Sequence, residues 1–165
     1  MSIRVEKQHH PNGVLRTYRH YYNDYLHRED GPAEEWYNDN GDISARKWYL
    51  NNRLHRLDGP AHERFYPDGV LDVHGWYVNG TLHREDGPAH ERFYPNGGLK
   101  FCSYNFNSEL HREDGPAIER FAPDGRRTDT YYYLTGNSMS EQDYRRQAIL
   151  RKLATAHAST KEASL

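Results

Sequence analysis

An eight-residue block, LHREDGPA, recurs along this chain at a fixed spacing of 28 residues. The copies begin at Leu26, Leu54, Leu82 and Leu110, and the second copy reads LHRLDGPA. A fixed period of this length predicts a repeat architecture, in which each unit packs mainly on its neighbours. The chain is therefore expected to be an array of similar units rather than a globular domain.

The composition is consistent with a thin structure. Only 35% of the residues are apolar, the mean hydropathy is -1.13, and 14 residues are Tyr, whose hydroxyl needs water or a hydrogen-bond partner. Disorder is disfavoured, because aromatic residues make up 13% of the chain and the net charge is only -2.

Periodic glycines predict one hairpin turn in each unit. Each of them follows Asn or Asp, and they are Gly13, Gly41, Gly69, Gly97 and Gly125. Asn-Gly and Asp-Gly favour the positive φ angles of tight hairpin turns. The array is predicted to cover residues 3–137, with a degenerate unit at 3–25 and full units at 26–53, 54–81, 82–109 and 110–137.

Each unit is predicted to contain two long strands and a second turn. In the unit that begins at Leu54, residues 61–66 alternate in character and predict the first strand. Residues 70–78 predict a longer second strand, which the Asn79-Gly80 turn ends. The Gly59-Pro60 pair removes a ladder donor and predicts a kink or bulge.

A helix is predicted after the array, over residues 141–156 within a segment of 140–157. Ser140 and Asp143 form a capping-box pattern at its start. The helix is expected to cap the last sheet edge, with a partner-binding or self-association helix as the alternative. Its apolar stripe consists of Ile149, Leu153 and Ala156, and residues 158–165 are expected to be a flexible tail.

The predicted fold class is mainly β: an elongated, single-layer, twisted antiparallel β-hairpin repeat array with a C-terminal capping α-helix. The periodic glycine, the Trp76-Tyr77 pair and the two turns resemble MORN-type repeats over residues 3–137. That resemblance implies stacked hairpins in an elongated, twisted sheet. The LHREDGPA block lengthens the usual unit and is similar to blocks in uncharacterised phage and large-virus proteins. The resemblance implies a viral accessory protein and carries no activity with it.

The ionisable residues of the block have a structural interpretation. The acidic positions form two ladders, Glu35, Glu63, Glu91 and Glu119, and Asp30, Asp58, Asp86 and Asp114. Each Glu shares a strand face with Ala and Phe, so it is expected to be partly buried and to need a partner. The planar Arg side chain of the same unit is expected to clasp it across the bend, while Asp caps its own turn.

The same block also has a binding interpretation. Its candidate residues are His27, Arg28, His55, Arg56, His83, Arg84, His111 and Arg112, together with Tyr104 and Phe106. In the third full unit, Tyr104-Asn105-Phe106 and Asn107-Ser108 replace the regular Trp-Tyr and Asn-Gly. That irregularity is either drift or a place where stacking is interrupted for a partner.

Metal binding and catalysis are not expected. The His rows would be about 10 to 14 Å apart, which is too far for one ion whose ligands lie ~2 Å away. No Ser or Cys nucleophile recurs in register, Cys102 reads as an incidental thiol, and no phosphate-loop or metalloprotease motif is present. We therefore expect no catalytic residues, no metal, no cofactor and no enzymatic activity.

The expected function is binding of another macromolecule, with a protein as the preferred partner. Residues 140–165 carry a net charge of +2, which leaves -4 on the rest, whereas duplex binding normally needs a basic stripe. A single strand or a nucleotide bound through Arg, His and aromatic rows remains the alternative. A cytoplasmic location without membrane contact is expected, because the chain has one cysteine, no apolar start and no apolar run of about 20 residues.

Overall fold

The computed structural model describes the backbone of residues 2–162 and the side chains of residues 2–151. The described part is mainly β, with 47% strand and one C-terminal helix. The elements in chain order are β1 (Ile3–His9), β2 (Leu15–Tyr22), β3 (Tyr25–Leu26), β4 (Glu34–Tyr37), β5 (Ile43–Lys47), β6 (Tyr49–Leu50), β7 (Arg53–Leu54), β8 (His62–Phe65), β9 (Leu71–Gly75), β10 (Tyr77–Val78), β11 (Thr81–Leu82), β12 (His90–Phe93), β13 (Leu99–Ser103), β14 (Asn105–Phe106), β15 (Glu109–Leu110), β16 (Ile118–Phe121), β17 (Arg127–Leu134), β18 (Asn137–Met139) and α1 (Glu141–Glu162).

The long strands form one antiparallel sheet in the order β1-β2-β4-β5-β8-β9-β12-β13-β16-β17-β18, with β3 paired to β2. The long strands follow one another in this order along the chain as well, so the sheet is a linear row of hairpins. Beside it lie three short hairpins, β6–β7, β10–β11 and β14–β15, one at the end of each of the first three full units. The predicted hairpin array is confirmed.

The long second strand of a unit is interrupted where the sequence predicted continuity. In the unit that begins at Leu54, β9 ends at Gly75 and β10 begins at Tyr77, with Trp76 between them. The Trp76 N–H donates to the Ala89 carbonyl at the start of the next unit. This bond diverts the chain, so the short hairpin leaves the main sheet and forms its own ladder.

Both predicted turns have the backbone that their residues favour. Gly69 at the first turn has φ +83°, and Asn79 and Gly80 at the second have φ +53° and +83°. A bulge also lies beside the first turn, between Arg64 and Phe65, where the sequence pattern did not indicate one. At Gly59-Pro60, where a kink or bulge was predicted, the chain makes a bend that leads into the next long strand.

The core is thin and lies at the junctions between units. The Ala residues of the LHREDGPA blocks are fully buried, and they are Ala33, Ala61, Ala89 and Ala117. The carbonyl of each of these Ala residues accepts a hydrogen bond from the preceding unit. The donor is the N–H of the residue just before that unit's second turn, as in the bond from Trp48 to Ala61. A small residue is required there because one unit's backbone lies directly on the next.

Helix α1 begins with the predicted capping box. The Asp143 N–H donates to Ser140 Oγ at 3.1 Å, and that hydroxyl donates to the Asp143 carboxylate. Tyr144 is buried and its ring lies 4.8 Å from that of Tyr132, centre to centre. Ser140 stands 28 residues after Arg112, so α1 begins where the next block's Arg would be and covers the last unit.

The apolar stripe expected on α1 is not buried where the structure describes it. Ile149 is 60% exposed and Leu150 is 58% exposed, although the neighbouring Arg151 forms an ion pair with Glu113 of the array at 3.0 Å. The side chains of Leu153 and Ala156 lie outside the described residues. The helix runs to Glu162, beyond the predicted segment of 140–157, and residues 163–165 of the predicted tail are not described. Among residues 2–162, no helix combines the length and apolar character that a membrane span requires.

Candidate binding groove

The Arg of the second, third and fourth blocks is held between an aromatic ring and a backbone glycine. The guanidinium carbons of Arg56, Arg84 and Arg112 lie 4.3, 4.1 and 3.8 Å from the ring centres of Trp48, Trp76 and Tyr104. Such cation–π contacts tie one unit to the preceding one. The Arg side chains are therefore part of the joint between units.

The glycine of the block is required on the other side of the guanidinium. A Cβ at Gly87 would lie 2.9 Å from Arg84 Cζ, and one at Gly59 would lie 2.8 Å from Arg56 Cζ. Neither glycine has a positive φ, so space and not backbone conformation explains the residue. The Arg Nη1 of these units also donates to the following proline carbonyl, at 3.4 Å for Pro60 and Pro88.

The partner of the Arg differs from the prediction. Arg Nε donates to the Asp two residues along in every block, at distances of 2.6 to 2.9 Å. Within the described residues only Arg112 reaches the predicted Glu, with Nη1 3.2 Å from Glu119 Oε2. The predicted Arg–Glu clasp is therefore wrong in the first three blocks, because the Asp of the same loop is nearer.

The Asp carboxylates of the blocks are exposed. Hydrogen bonding from the Arg of the same block lowers the pKa of Asp30, Asp58 and Asp86. The Asp thus holds the Arg side chain in place from the solvent side.

The Glu ladder instead forms a row across one sheet face, which we call the first face. By strand register, Glu35, Glu63, Glu91 and Glu119 alternate along this row with residues of the neighbouring strands. Glu63 lies 3.8 Å from Arg46 and 4.0 Å from His74. Half-buried carboxylates are thus partnered by residues of the adjacent strands.

The His of each block binds the second turn of its own unit. The N–H groups of Asn79, Asn107 and Thr135 donate to the Nδ1 atoms of His55, His83 and His111 at 3.0 to 3.2 Å. His27 Nδ1 lies 3.0 Å from the side-chain oxygen of Asn51. Each His of the predicted row therefore connects the start of its unit to the second turn of the same unit.

Two successive blocks enclose a groove on the first face. The C-terminal groove has a volume of about 750 Å³ between the blocks that begin at Leu82 and Leu110. Five residues predicted for binding line it, and they are Arg84, Tyr104, Phe106, His111 and Arg112. An N-terminal groove of about 420 Å³ lies between the first two blocks and brings together Arg28, His55 and Arg56.

Phe106 is the exposed member of the C-terminal groove. Its side chain is 46% exposed, whereas Leu134 at the same repeat position is 3% exposed. The Phe106 ring lies 4.7 Å from that of His83 and 6.3 Å from that of His111, centre to centre. The irregular third unit therefore presents an aromatic ring to solvent between the His rings of two successive blocks.

The rim of the C-terminal groove is acidic. Glu85, Asp86, Glu113 and Asp114 line it, and with Glu91 they outnumber the two arginines, which are paired with the aspartates. Glu85 and Glu113 were not predicted as site residues. A signal was present, because three of the four blocks carry Glu at this position and only the second has Leu57.

The thiol of Cys102 is not poised as a nucleophile. Burial, reinforced by Glu119 and Glu91, raises the pKa of Cys102 to about 12. Among the described residues, no group of three or more His, Cys, Asp or Glu side chains could hold a metal ion.

No protein-family model matches this chain, and no curated protein matches it. The antiparallel hairpin array is consistent with a MORN-like repeat.

Proposed function

We propose that this chain is a non-catalytic binding protein that holds another protein in the C-terminal groove. The partner is an exposed segment that combines apolar and basic side chains. The proposal is carried by the exposure of Phe106 within a concave site, since aromatic anchors in pockets dominate the energetics of protein interfaces.

The charge of the groove supports a basic partner. Its five carboxylates exceed its two guanidinium groups, which are paired with Asp86 and Asp114, and Glu113 is paired with Arg151 at 3.0 Å. A Lys or Arg side chain of a partner would meet the carboxylate of Glu85 at the rim. Complementary charge of this kind contributes to specificity and to the rate of association.

Single-stranded nucleic acid fits this groove less well. The motif arginines lie against aromatic rings and bind Asp, so neither their charge nor their stacking face is free for a phosphate or a base. The acidic rim would also repel a phosphate backbone.

We further propose that the array is a MORN-like variant and that the protein is a viral accessory protein acting on a host protein in the cytoplasm. The hairpin array and the LHREDGPA resemblance support this assignment, and the single, buried cysteine is compatible with a reducing compartment.

The test is an affinity capture from the native host with three forms of the protein. The wild type and Tyr131→Ser, which removes a 41% exposed tyrosine outside the groove, should retain the same stoichiometric protein. Phe106→Ser should retain at least about tenfold less, because loss of an interface anchor costs ~2 kcal/mol or more.

Equal capture by Phe106→Ser and wild type, with both folded by circular dichroism, would remove the groove from the proposal. Fluorescence polarisation with labelled single strands at low salt should show no binding. Binding that Phe106→Ser abolishes would favour nucleic acid instead.

A further inference from the structure

The face opposite the Glu row, which we call the second face, carries a row of arginines. Strand register places Arg64, Val73, Arg92, Phe101 and Arg120 side by side across successive strands. Directly opposed residues of antiparallel strands point to the same side of the sheet. The arginines therefore recur on this face every second strand.

Between the first two arginines lies a buried acid. Asp72 is 6% exposed, and Arg64 Nε donates to its Oδ2 at 2.7 Å. Asp72 Oδ1 lies 3.9 Å from Arg92 Nη2. In this unit the protein thus supplies its own carboxylate to two cations.

One repeat further along, the position of Asp72 is occupied by Lys100. Lys100 and Arg120 have no carboxylate within 4.0 Å among the residues the structure describes, and Lys100 Nζ lies 5.2 Å from the centre of the Tyr94 ring. Asp129 is opposite Arg120 by register, but its carboxylate accepts a hydrogen bond from the Thr128 hydroxyl. Arg92, Lys100 and Arg120 therefore stand at the positions that Arg64, Asp72 and Arg92 occupy one unit earlier.

The three cations line a common cleft, which we call the basic cleft. It has a volume of about 540 Å³, within the usual range for small-ligand sites, and no acidic side chain lines it. Its lining residues are His90, Arg92, Tyr94, Lys100, Phe101, Arg120, Phe121 and Thr128. Arg92 Nε is buried there without a hydrogen-bond partner among the described residues.

We propose that the basic cleft binds the phosphate groups of a small phosphorylated molecule, which supplies the anion that Asp72 supplies one unit earlier. Guanidinium groups and an ammonium group form charge-assisted hydrogen bonds with phosphate oxygens. Phe101 lies between Arg92 and Arg120 and offers an apolar surface to a ring. A nucleotide is therefore the class of ligand to test.

Isothermal titration of the full chain at low salt, with ADP, pyrophosphate and adenosine, tests the ligand chemistry. ADP and pyrophosphate should bind, and adenosine should not. Failure of both phosphorylated probes, or adenosine binding as tightly as ADP, would overturn the proposal. Binding to phosphatidylserine vesicles without binding to ADP or pyrophosphate would overturn it in favour of a membrane surface.

Two charge reversals test the place of binding. Lys100→Asp recreates the arrangement around Asp72 and should weaken ADP binding at least about tenfold, since it removes one charged contact and adds repulsion. Lys7→Asp changes the net charge equally, at an exposed position on β1, and should leave ADP affinity within about twofold. Equal effects of the two variants would show a response to net charge and overturn the site.

A gain-of-affinity variant completes the test. Asp72→Asn removes the carboxylate that competes for Arg92, so ADP should bind more tightly if the variant is folded. Lys100 is exposed, so Lys100→Asp is decisive even where Asp72→Asn does not fold. Phe106 and the C-terminal groove lie outside this cleft, so partner capture should be unchanged in Lys100→Asp.

Discussion

The stacking of Arg84 between Trp76 and Gly87 makes a quantitative prediction for Gly87→Ala. The new Cβ would lie 2.9 Å from Arg84 Cζ, so the guanidinium must leave its site. The protein then loses a cation–π contact of about 1–2 kcal/mol. It also loses a hydrogen bond to the Pro88 carbonyl, which contributes about 1 kcal/mol. The free energy of unfolding should fall by about 2–3 kcal/mol.

A double-mutant cycle separates this explanation from a local effect at Gly87. Arg84→Ala should cost about the same as Gly87→Ala, because both remove the same contacts. The double variant should cost no more than either single variant, which gives a coupling free energy of about 2 kcal/mol. Urea unfolding at pH 7, followed by circular dichroism, measures all four proteins. Additive losses would refute the stacking account, because the alanine would then act independently of Arg84.

Three further predictions follow from single positions. Thr135 has φ +48°, which a β-branched residue rarely adopts, so Thr135→Asn should raise the free energy of unfolding by about 1 kcal/mol in urea titrations. Burial lowers the pKa of His62 to about 4, so the unfolded chain binds a proton first as pH falls below 6.5. Stability should drop by about 1 kcal/mol between pH 6.5 and 4.5, after discounting for partial exposure, and His62→Gln should flatten that slope. Cys102→His places the residue found at His74 between two glutamates and should raise the melting temperature by a few degrees, with Cys102→Ser as the control.

Much of the fold could be predicted because the same turn residues recur in every unit. The Asn-Gly and Asp-Gly steps indicated both turns, and a period of 28 residues indicated the array. The break at Trp76 could not be predicted, since an alternating pattern does not reveal that its N–H bonds to the next unit. The exposure of Ile149 was also missed, because a helical stripe does not say how much of the helix meets the array.

The candidate site was predicted in part. Arg84 and its equivalents were expected to clasp the bend of the block, but the Arg partner was wrong, and the contact of His83 with the Asn107 turn was not predicted. Both Asp and Glu stood within reach of Arg along the sequence, and only the shape of the bend places Asp nearer. The basic cleft was not predicted. Only one residue distinguishes it in the sequence, Lys100 at the repeat position of Asp72, and that residue lies outside the LHREDGPA block.

Each LHREDGPA block is a joint that contacts the aromatic ring of the preceding unit through its Arg and the second turn of its own unit through its His. Amide hydrogen exchange at these second turns probes the joint. The N–H groups of Asn79, Asn107 and Thr135 lie on exposed turns but donate to the His Nδ1 atoms of the blocks that begin the same units. They should therefore exchange slowly at neutral pH. His83→Phe removes one acceptor and should accelerate exchange at Asn107 while Asn79 and Thr135 stay protected. Rapid exchange of all three amides in the wild type, as in unbonded turns, would contradict the account.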